Sequence, residues 1–481
     1  MLLSVFNLDA EFFNSILLQV AHGNPLETMW YIVKNGGWIP IVWALVQGLW
    51  SYRMLKTQRR WWGSVKFIVL AIDVPRDNEQ GPKAVENIFS HFAGTHGSIN
   101  LWQKYVEGQA QLTMSLEIVS IDGYVQFMMR LPEVWRDIVE SAIYAQYPDA
   151  EIEEVDDYTQ YVPQHWPHPE YKFFGLEYKL FKHEAYPIRT YEEFEDKLEG
   201  EFKDPMAALL EAMSSLRKGE QVWVQYVITP INDKWVKGVE EVVNKLAGIK
   251  EEHAGPAWYV RAVSFPFTVL GMVWGHVIGT PQEAHEEKKD DGPHSLMMHL
   301  TPGLKDDILA IEEKADKIGF KTKIRVMYIA RKEVYSKPRG IGSIIGALKQ
   351  YNTINLNRFD ICKKVWTQAY YIFPQWRIAR RQNKLFDAYK FRSNWRGDVQ
   401  GGGVLNIEEL ASLWHFPVVA VRAALVKKTE AKKREPPVEL PVSREIGDVP
   451  VHGARMHLGS PSEAHAPAGL EAVMEEDDRK S

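Results

Sequence analysis

The hydrophobic pattern near the amino terminus predicts a membrane-spanning helix. Residues 28–52 are mostly apolar, and Lys34 and Gln47 are among their few polar interruptions. At about 1.5 Å per residue, such a segment can cross a hydrocarbon core roughly 30 Å thick. Tryptophan and tyrosine gather at its flanks, where amphipathic rings favour the lipid–water boundary. A buried helix of a soluble domain is the alternative, because Lys34–Gly37 leave only Trp38–Tyr52 as the cleanest apolar run.

The charges on either side of this segment predict its orientation. No Lys or Arg precedes Lys34. Five cationic residues follow the segment closely, namely Arg53, Lys56, Arg59, Arg60 and Lys66. Because cytoplasmic flanks of membrane helices are enriched in Lys and Arg, we expect residues 1–27 to lie outside the cell membrane. The sequence thus predicts a single-pass protein of the inner (plasma) membrane, with its N-terminus outside and its bulk in the cytoplasm.

Beyond the predicted span, apolar positions recur with the period of strands and helices in turn. Within residues 64–158 the order is strand, amphipathic helix, a hairpin turning at Asp122-Gly123, a second helix and a closing strand. This β-α-β-β-α-β order is that of a ferredoxin-like fold, in which two helices pack on one face of an antiparallel sheet.

Helix and strand patterns recur along the rest of the chain. They predict a second α/β module over residues 170–250 and a third over residues 294–425, which contains a basic helix. Residues 255–293 join an apolar stretch to a charged run and are interpreted as a linker. Residues 426–481, rich in Lys, Glu and Pro and then in small polar residues, are predicted to be disordered. The predicted class is α+β, with an N-terminal transmembrane helix followed by ferredoxin-like and related α/β modules with antiparallel sheets.

Composition adds two constraints. Cys362 is the single cysteine of the 481 residues, which excludes an internal disulfide framework and any multi-cysteine metal site. We interpret it as a buried, unreactive thiol. The net charge of -6 conceals an asymmetry: residues 133–220 hold 9 Lys or Arg against 21 Asp or Glu, whereas residues 321–396 hold 18 against 3. The second region is therefore expected to attract an anionic partner.

Motifs for catalysis are not evident in the sequence. A phosphate-binding P-loop needs a Gly-Lys pair, and none occurs in the chain. Residues 340–349 are rich in glycine, and we interpret them as the closely packed start of a helix. His165 and His168 have no third ligand nearby in the sequence and are expected at the surface. The sequence thus predicts a non-enzymatic protein with no catalytic residues, no cofactor and no metal site.

The basic region suggests a binding surface. Between Pro374 and Trp395, cationic residues interleave with aromatic ones at helical spacing. The candidate residues for binding an anionic partner are Arg377, Arg380, Arg381, Lys384, Lys390 and Arg392. Such a helix suits nucleic acid, anionic lipid or an acidic protein. A solvated helix whose aromatic face packs on the domain is the alternative.

Three segments resemble a known family. They read AIDVPRDNEQGPKAVENIF, SAIYAQYPDAEIEEVDDY and VLNIEELASLWHFP. They resemble the N-terminal, non-catalytic region that precedes the motor in bacterial type IV secretion and conjugation ATPases of the TraC/HerA-like class. The resemblance runs from about Trp38 to Pro441. In the larger relatives the ATPase domain begins after the Pro-Pro-x-x-Leu-Pro stretch, here Pro436–Pro441, and this chain departs from the pattern there. The resemblance implies membrane anchoring and assembly with a separate motor, without ATP hydrolysis.

Two functions follow as expectations. The first is a membrane-anchored, non-enzymatic component of a type IV secretion or conjugation-like machine, which docks a separately encoded ATPase within an oligomeric assembly. The second is a membrane-bound protein that binds DNA in DNA uptake or segregation. A hydrolase whose site the sequence does not reveal is a third class.

Overall fold

The structure is a computed structural model. It describes residues 24, 29–30, 34, 38–75, 78–194, 204–249, 300–398 and 402–418. The predicted linker at 255–293, the predicted tail at 426–481 and nearly all of the predicted outer segment at 1–27 lie outside the described residues.

The first helix, α1 (Trp38–Ser64), overlaps the predicted span and continues past it through the cationic residues that follow Tyr52. Its apolar side chains are largely exposed; Leu45 is 61% and Leu49 is 69% accessible. Among the helices that the structure describes, none combines the length and the hydropathy needed to cross a membrane.

The described strands form one antiparallel sheet of nine strands. They are β1 (Phe67–Asp73), β2 (Met114–Ile121), β3 (Tyr124–Pro132), β4 (Glu151–Val155), β5 (Tyr171–Leu180), β6 (Glu220–Pro230), β7 (Gly319–Arg331), β8 (Phe359–Ile361) and β9 (Gly403–Asn406). The strand order is β4-β1-β3-β2-β6-β7-β5-β8, and β9 pairs with β7. The α+β class with a large antiparallel sheet, predicted from the alternating patterns, is therefore confirmed.

The helices connect these strands. Besides α1 they are α2 (Pro82–Ala93), α3 (Arg136–Gln146), α4 (Met206–Ser214), α5 (Lys234–Leu246), α6 (Pro302–Ala315), α7 (Ser343–Leu348), α8 (Pro374–Lys390) and α9 (Ile407–Leu413). Short helical turns occupy Gln103–Glu107, Glu133–Trp135, Tyr158–Tyr161, Tyr191–Phe194, Pro338–Gly342 and Lys349–Tyr351.

The sheet is built from two halves with the same internal order. The first half has the chain order β1-α2-β2-β3-α3-β4. From the outer edge of the sheet inward, its strands lie in the order β4, β1, β3, β2, that is, the fourth, first, third and second strand of this half. In the second half, β5-α4-β6, the helices α5 and α6, and β7-α7-β8 give that order again from the opposite edge. The halves join through β2 and β6, which pair antiparallel from Met114↔Ile228 to Ile121↔Gln221. Strands from all three predicted modules thus share one sheet.

Both faces of the sheet are covered. Successive side chains along a strand point to opposite faces, and each face here carries buried apolar residues. One face, with Leu70, Leu116 and Phe127, packs under helices α2, α3, α4, α7 and α9. The opposite face, with Val119 and Trp223, packs under α8 and the segment around Tyr158. The predicted hairpin at Asp122-Gly123 is confirmed, since both residues take the left-handed backbone that such a two-residue turn requires.

Strand β9 and helix α9 close the helical face near the carboxyl end of the described chain. The Asn406 side chain accepts from the Glu409 amide at 2.8 Å, and the Glu409 carboxylate accepts from the Asn406 amide at 2.9 Å, which is a capping box. Glu409 also pairs with Lys314 of α6 at 3.0 Å, with both side chains fully buried. This polar contact ties the α9 cap to α6.

Candidate functional site

Helix α8 carries most of the predicted binding residues and lies on the sheet. Its apolar side, Leu385, Phe386 and Tyr389, is buried against the α8-covered face of the sheet. Gln382 fixes this position, because its amide donates to the Phe173 carbonyl oxygen of β5 at 2.7 Å. The helix therefore has one packed side, as the sequence alternative required, and one side left for its charged residues.

Two of the six predicted residues are used inside the protein. The Arg392 side chain is 1% exposed, and its Nε donates to Oε1 of Glu117 on β2 at 2.9 Å. Arg392 also forms an ion pair with Asp157. Burial alone would raise the pKa of Asp157, but the neighbouring Arg392 guanidinium and the hydrogen bonds to the carboxylate hold this pKa below its usual range. Lys390 donates to Oε1 of Gln164 at 2.6 Å. Arg392 is therefore unavailable to a partner.

Two further residues, Arg377 and Arg381, hold the loop that precedes α8. Arg377 Nη1 donates to the Tyr370 carbonyl oxygen at 3.2 Å. Arg381 Nη1 donates to the carbonyl oxygens of Trp366, at 3.2 Å, and Gln368. These bonds join α8 to the loop, so the loop is fixed in place by charged side chains of the helix.

The remaining two residues face solvent. Arg380 is exposed, and its guanidinium lies 5.5 Å from the centre of the Trp376 ring, within cation–π range. Lys384 is also exposed, and its side chain makes no hydrogen bond or ion pair with another described residue. The cationic face of α8 thus consists of Arg380 and Lys384, with the half-buried Arg377 beside them.

The loop before α8 exposes a cluster that the sequence analysis missed. We call residues 370–373, together with Trp376 in the first turn of α8, the aromatic loop. Its exposed side chains are Tyr370 at 58%, Tyr371 at 89%, Ile372 at 75%, Phe373 at 76% and Trp376 at 62%. Tyr371 and Phe373 have φ angles of 67° and 47°, a left-handed backbone that non-glycine residues rarely adopt. The sequence does contain a signal for this loop. Bulky apolar residues directly before Pro374 follow neither the period of a strand nor that of a helix.

A second set of charged groups lies fully inside the sheet. Arg325 of β7 donates from Nε to Oε2 of Glu177 at 2.9 Å, and from Nη1 to Gln225 at 3.1 Å. Lys323 donates to the carbonyl oxygens of Asn394, at 2.8 Å, and Asp398, and burial lowers its pKa to about 8 despite the nearby Glu177. These cations, counted in the basic region, hold the segment after α8 on the sheet.

The other residues singled out in the sequence occupy separate places. His165 is exposed, and His168 Nδ1 accepts from the Glu170 amide at 3.2 Å. Cys362 is buried, and its Sγ lies 2.9 Å from Oδ2 of Asp398. A Cβ on Gly340 would lie 2.4 Å from the Tyr328 ring, so the closely packed helix start is confirmed. In the described part of the chain, no three His, Cys, Asp or Glu are placed to hold a metal ion.

These features define a class of α+β proteins in which two similar halves form one antiparallel sheet, with an aromatic and cationic surface at the start of α8. The chain belongs to the family described as Domain of unknown function (DUF8128), whose model matches residues 72–417. The match begins near the end of β1 and ends four residues after α9, so it includes strands β2 to β9 and the last two residues of β1. No curated protein matches the chain.

Proposed function

We propose that the protein is a membrane-anchored, non-enzymatic component of a type IV secretion or conjugation-like machine, where it docks a separately encoded ATPase. The bulk of the chain lies in the cytoplasm in this proposal. The observation that carries it is the exposure of the apolar side chains of α1, which precedes a sheet domain with well-filled cores.

Helix α1 supports membrane attachment through its surface chemistry. At about 1.5 Å per residue, its 27 residues extend roughly 40 Å. Leu45, Val46 and Leu49 are each more than half exposed, and Trp43 and Trp50 are about half exposed. Burying one large apolar side chain contributes roughly 1.5–3 kcal/mol, so an exposed row of them favours transfer to an apolar environment.

The motor partner is supported by the sequence. The three segments quoted above resemble the region that precedes the motor in type IV secretion ATPases. Without a Gly-Lys pair in this chain, the phosphate-binding lysine would come from the separate ATPase. The family match covers residues 72–417 and leaves α1 outside the matched range, which supports an anchor in α1 and a docking surface in the matched domain.

Membrane retention tests the anchor. Replacing Leu45, Val46 and Leu49 by Gln should release the chain from washed membranes, because three exposed apolar contacts are lost together. Leu309→Gln is the matched control, since Leu309 is also a leucine exposed on a helix, at 55%, but lies on α6. Equal release of both variants, or release of the unaltered chain, would contradict the anchoring role of α1.

A second function is membrane-bound binding of DNA in uptake or segregation. It is supported by Arg380, which lies within cation–π range of Trp376, with Lys384 and Arg377 on the same helix. Each phosphate contact contributes about 0.9 to the log–log salt slope on duplex DNA. Replacing Arg377, Arg380 and Lys384 by Gln should then flatten the slope by roughly three units. DNA binding that is weak, or whose salt slope is unchanged, would exclude this function for α8.

A further inference from the structure

We infer that the aromatic loop and the cationic face of α8 together bind the surface of an anionic lipid bilayer, with the loop at the interface and the cations at the lipid headgroups. This inference goes beyond the proposed function, because it assigns a membrane contact to the sheet domain itself. None of its residues belongs to α1, so it stands or falls independently of the anchor.

The apolar part of this surface has the composition of an interfacial contact. Tyr371, Ile372 and Phe373 are consecutive and each at least three-quarters exposed, and Trp376 follows one helical turn later. Tyrosine and tryptophan favour the lipid–water boundary, where the ring is in the apolar layer and its polar group is in water. Exposing such a cluster to water is unfavourable in the free protein. Transfer of the cluster from water to the interface of a bilayer removes this apolar surface from water and is therefore favourable.

The shape of the loop is fixed before any partner binds. Tyr371 and Phe373 hold left-handed backbone conformations, which cost of order 1–3 kcal/mol each in residues other than glycine and persist only where the surrounding structure imposes them. Arg377 holds the start of the loop by donating to the Tyr370 carbonyl oxygen, and Arg381 holds the chain just before it by donating to the Gln368 carbonyl oxygen. A loop ordered in advance loses little conformational entropy on binding.

The charge around the loop is complementary to anionic lipid. From residue 361 to residue 386 the sequence has no Asp or Glu and six cations. Arg380 and Lys384 are exposed beside the loop and Lys363 is exposed before it, whereas Lys364 forms an ion pair with Asp398 at 3.7 Å. Basic residues near an anionic membrane surface contribute about 1 kcal/mol each, so this patch favours anionic over zwitterionic lipid.

The loop favours a bilayer over a nucleic acid because of its central residue. Single-stranded nucleic acid binds aromatic platforms by stacking its bases on their rings. Ile372 has no ring, is 75% exposed and lies between Tyr371 and Phe373, so it contributes nothing to stacking. An aliphatic side chain among aromatic ones is instead well accommodated by acyl chains.

A site-specific probe separates this contact from any binding through α1. Ile372→Cys in the full chain is labelled with a polarity-sensitive fluorophore, and the native Cys362 is buried and therefore protected from labelling. Ile354→Cys is the matched control, because Ile354 is a second isoleucine with 91% exposure, in the loop before β8. Each labelled chain is mixed with vesicles of phosphatidylcholine alone or with phosphatidylglycerol.

The expected result is a blue shift and an intensity increase at position 372 with phosphatidylglycerol vesicles, with little change at position 354. Combining Ile372→Cys with Gln at the two solvent-facing cations, Arg380 and Lys384, should abolish the response, whereas Arg377 is kept because it holds the loop. No response at 372 while the chain still co-sediments with vesicles would overturn the inference and leave the α1 anchor intact. Equal responses to both lipids, a response to oligonucleotide alone, or emission that is already blue without vesicles would also overturn it.

Discussion

Arg392 and Glu117 form a fully buried ion pair that connects the residues following α8 to the centre of β2. The Arg392 Nε lies 2.9 Å from Oε1 of Glu117, and the two side chains are at most 1% exposed. Tyr158 completes the cluster, since its hydroxyl donates to Oε2 of Glu117 at 2.8 Å. A cation in the most basic part of the sequence thus holds α8 on the sheet.

Replacing Arg392 should therefore destabilise the fold. Arg392→Met leaves the buried Glu117 carboxylate without its cation, and breaking one side of a buried pair typically costs about 3–5 kcal/mol. Arg380→Met is the matched control, because Arg380 is an exposed arginine on the solvent-facing side of α8, and exposed substitutions usually change stability by no more than about 0.5 kcal/mol. Chemical denaturation gives both free energies of unfolding, and equal values for the two variants would contradict the structural role of Arg392.

A second buried pair predicts how stability changes with pH. His415 Nε2 lies 2.9 Å from Oδ1 of Asp204, and both side chains are at most 1% exposed. Burial would raise the pKa of Asp204, but the pair with His415 and the hydrogen bonds from the Met206 and Val418 amides lower it below its ordinary value.

Since the folded-state pKa of Asp204 is lowered, the unfolded chain binds a proton first on acidification. The pair's contribution is therefore complete above the unfolded pKa of about 3.9 and is lost as pH falls through the folded-state pKa. Asp204→Asn should be less stable at neutral pH and should lose less stability on acidification than the unaltered chain. Urea titrations at several pH values measure this, and parallel pH profiles for the two proteins would refute it.

Cys362 should be unreactive in the folded protein. Burial and the hydrogen bond to Asp398 raise the pKa of its thiol to about 11, so almost no thiolate is present at neutral pH. A disulfide reagent should modify Cys362 only after unfolding, with a rate that follows denaturant concentration. Rapid modification without denaturant would show that the segment around β8 opens.

Gly340 and Gly346 give opposite predictions within a few residues of each other. A Cβ at Gly340 would lie 2.4 Å from the Tyr328 ring, whereas a Cβ at Gly346 in α7 has nothing within 4 Å. Gly340→Ala should destabilise by about 1–3 kcal/mol through overpacking. Gly346→Ala should stabilise by roughly 0.5–1 kcal/mol, because alanine favours helix. The same sign for both variants in thermal unfolding would contradict the packing of this turn.

The sequence predicted local elements better than their partners. The alternation of Val222, Val224 and Tyr226 predicted a strand, and the structure has β6 there. No local pattern indicates that β6 pairs with β2, because this pairing joins segments about a hundred residues apart and depends on packing by both halves. The two halves therefore appeared in the sequence as three separate modules, with the second half divided between two of them.

The candidate site shows the same limit. Six cations of similar appearance in sequence occupy three environments, since Arg392 has Glu117 within reach, Arg381 has loop carbonyl oxygens, and Lys384 faces solvent. A run of cationic residues in a sequence does not indicate which of its side chains form buried ion pairs in the folded protein. The aromatic loop was missed because its exposure depends on backbone conformations at Tyr371 and Phe373 that no periodicity encodes.

Quantitative co-purification tests the central claim, that this chain docks a separate ATPase at the membrane, most directly. The tagged full chain is cross-linked in cells of its native host, extracted from washed membranes and purified, and partners are quantified by mass spectrometry against an unrelated tagged membrane protein. The account predicts one ATPase with a Walker motif, in an amount comparable to the chain, and ATP hydrolysis that disappears when that ATPase is removed. Recovery of the chain from membranes without any enriched ATPase, or ATP hydrolysis that persists in the chain alone, would contradict it.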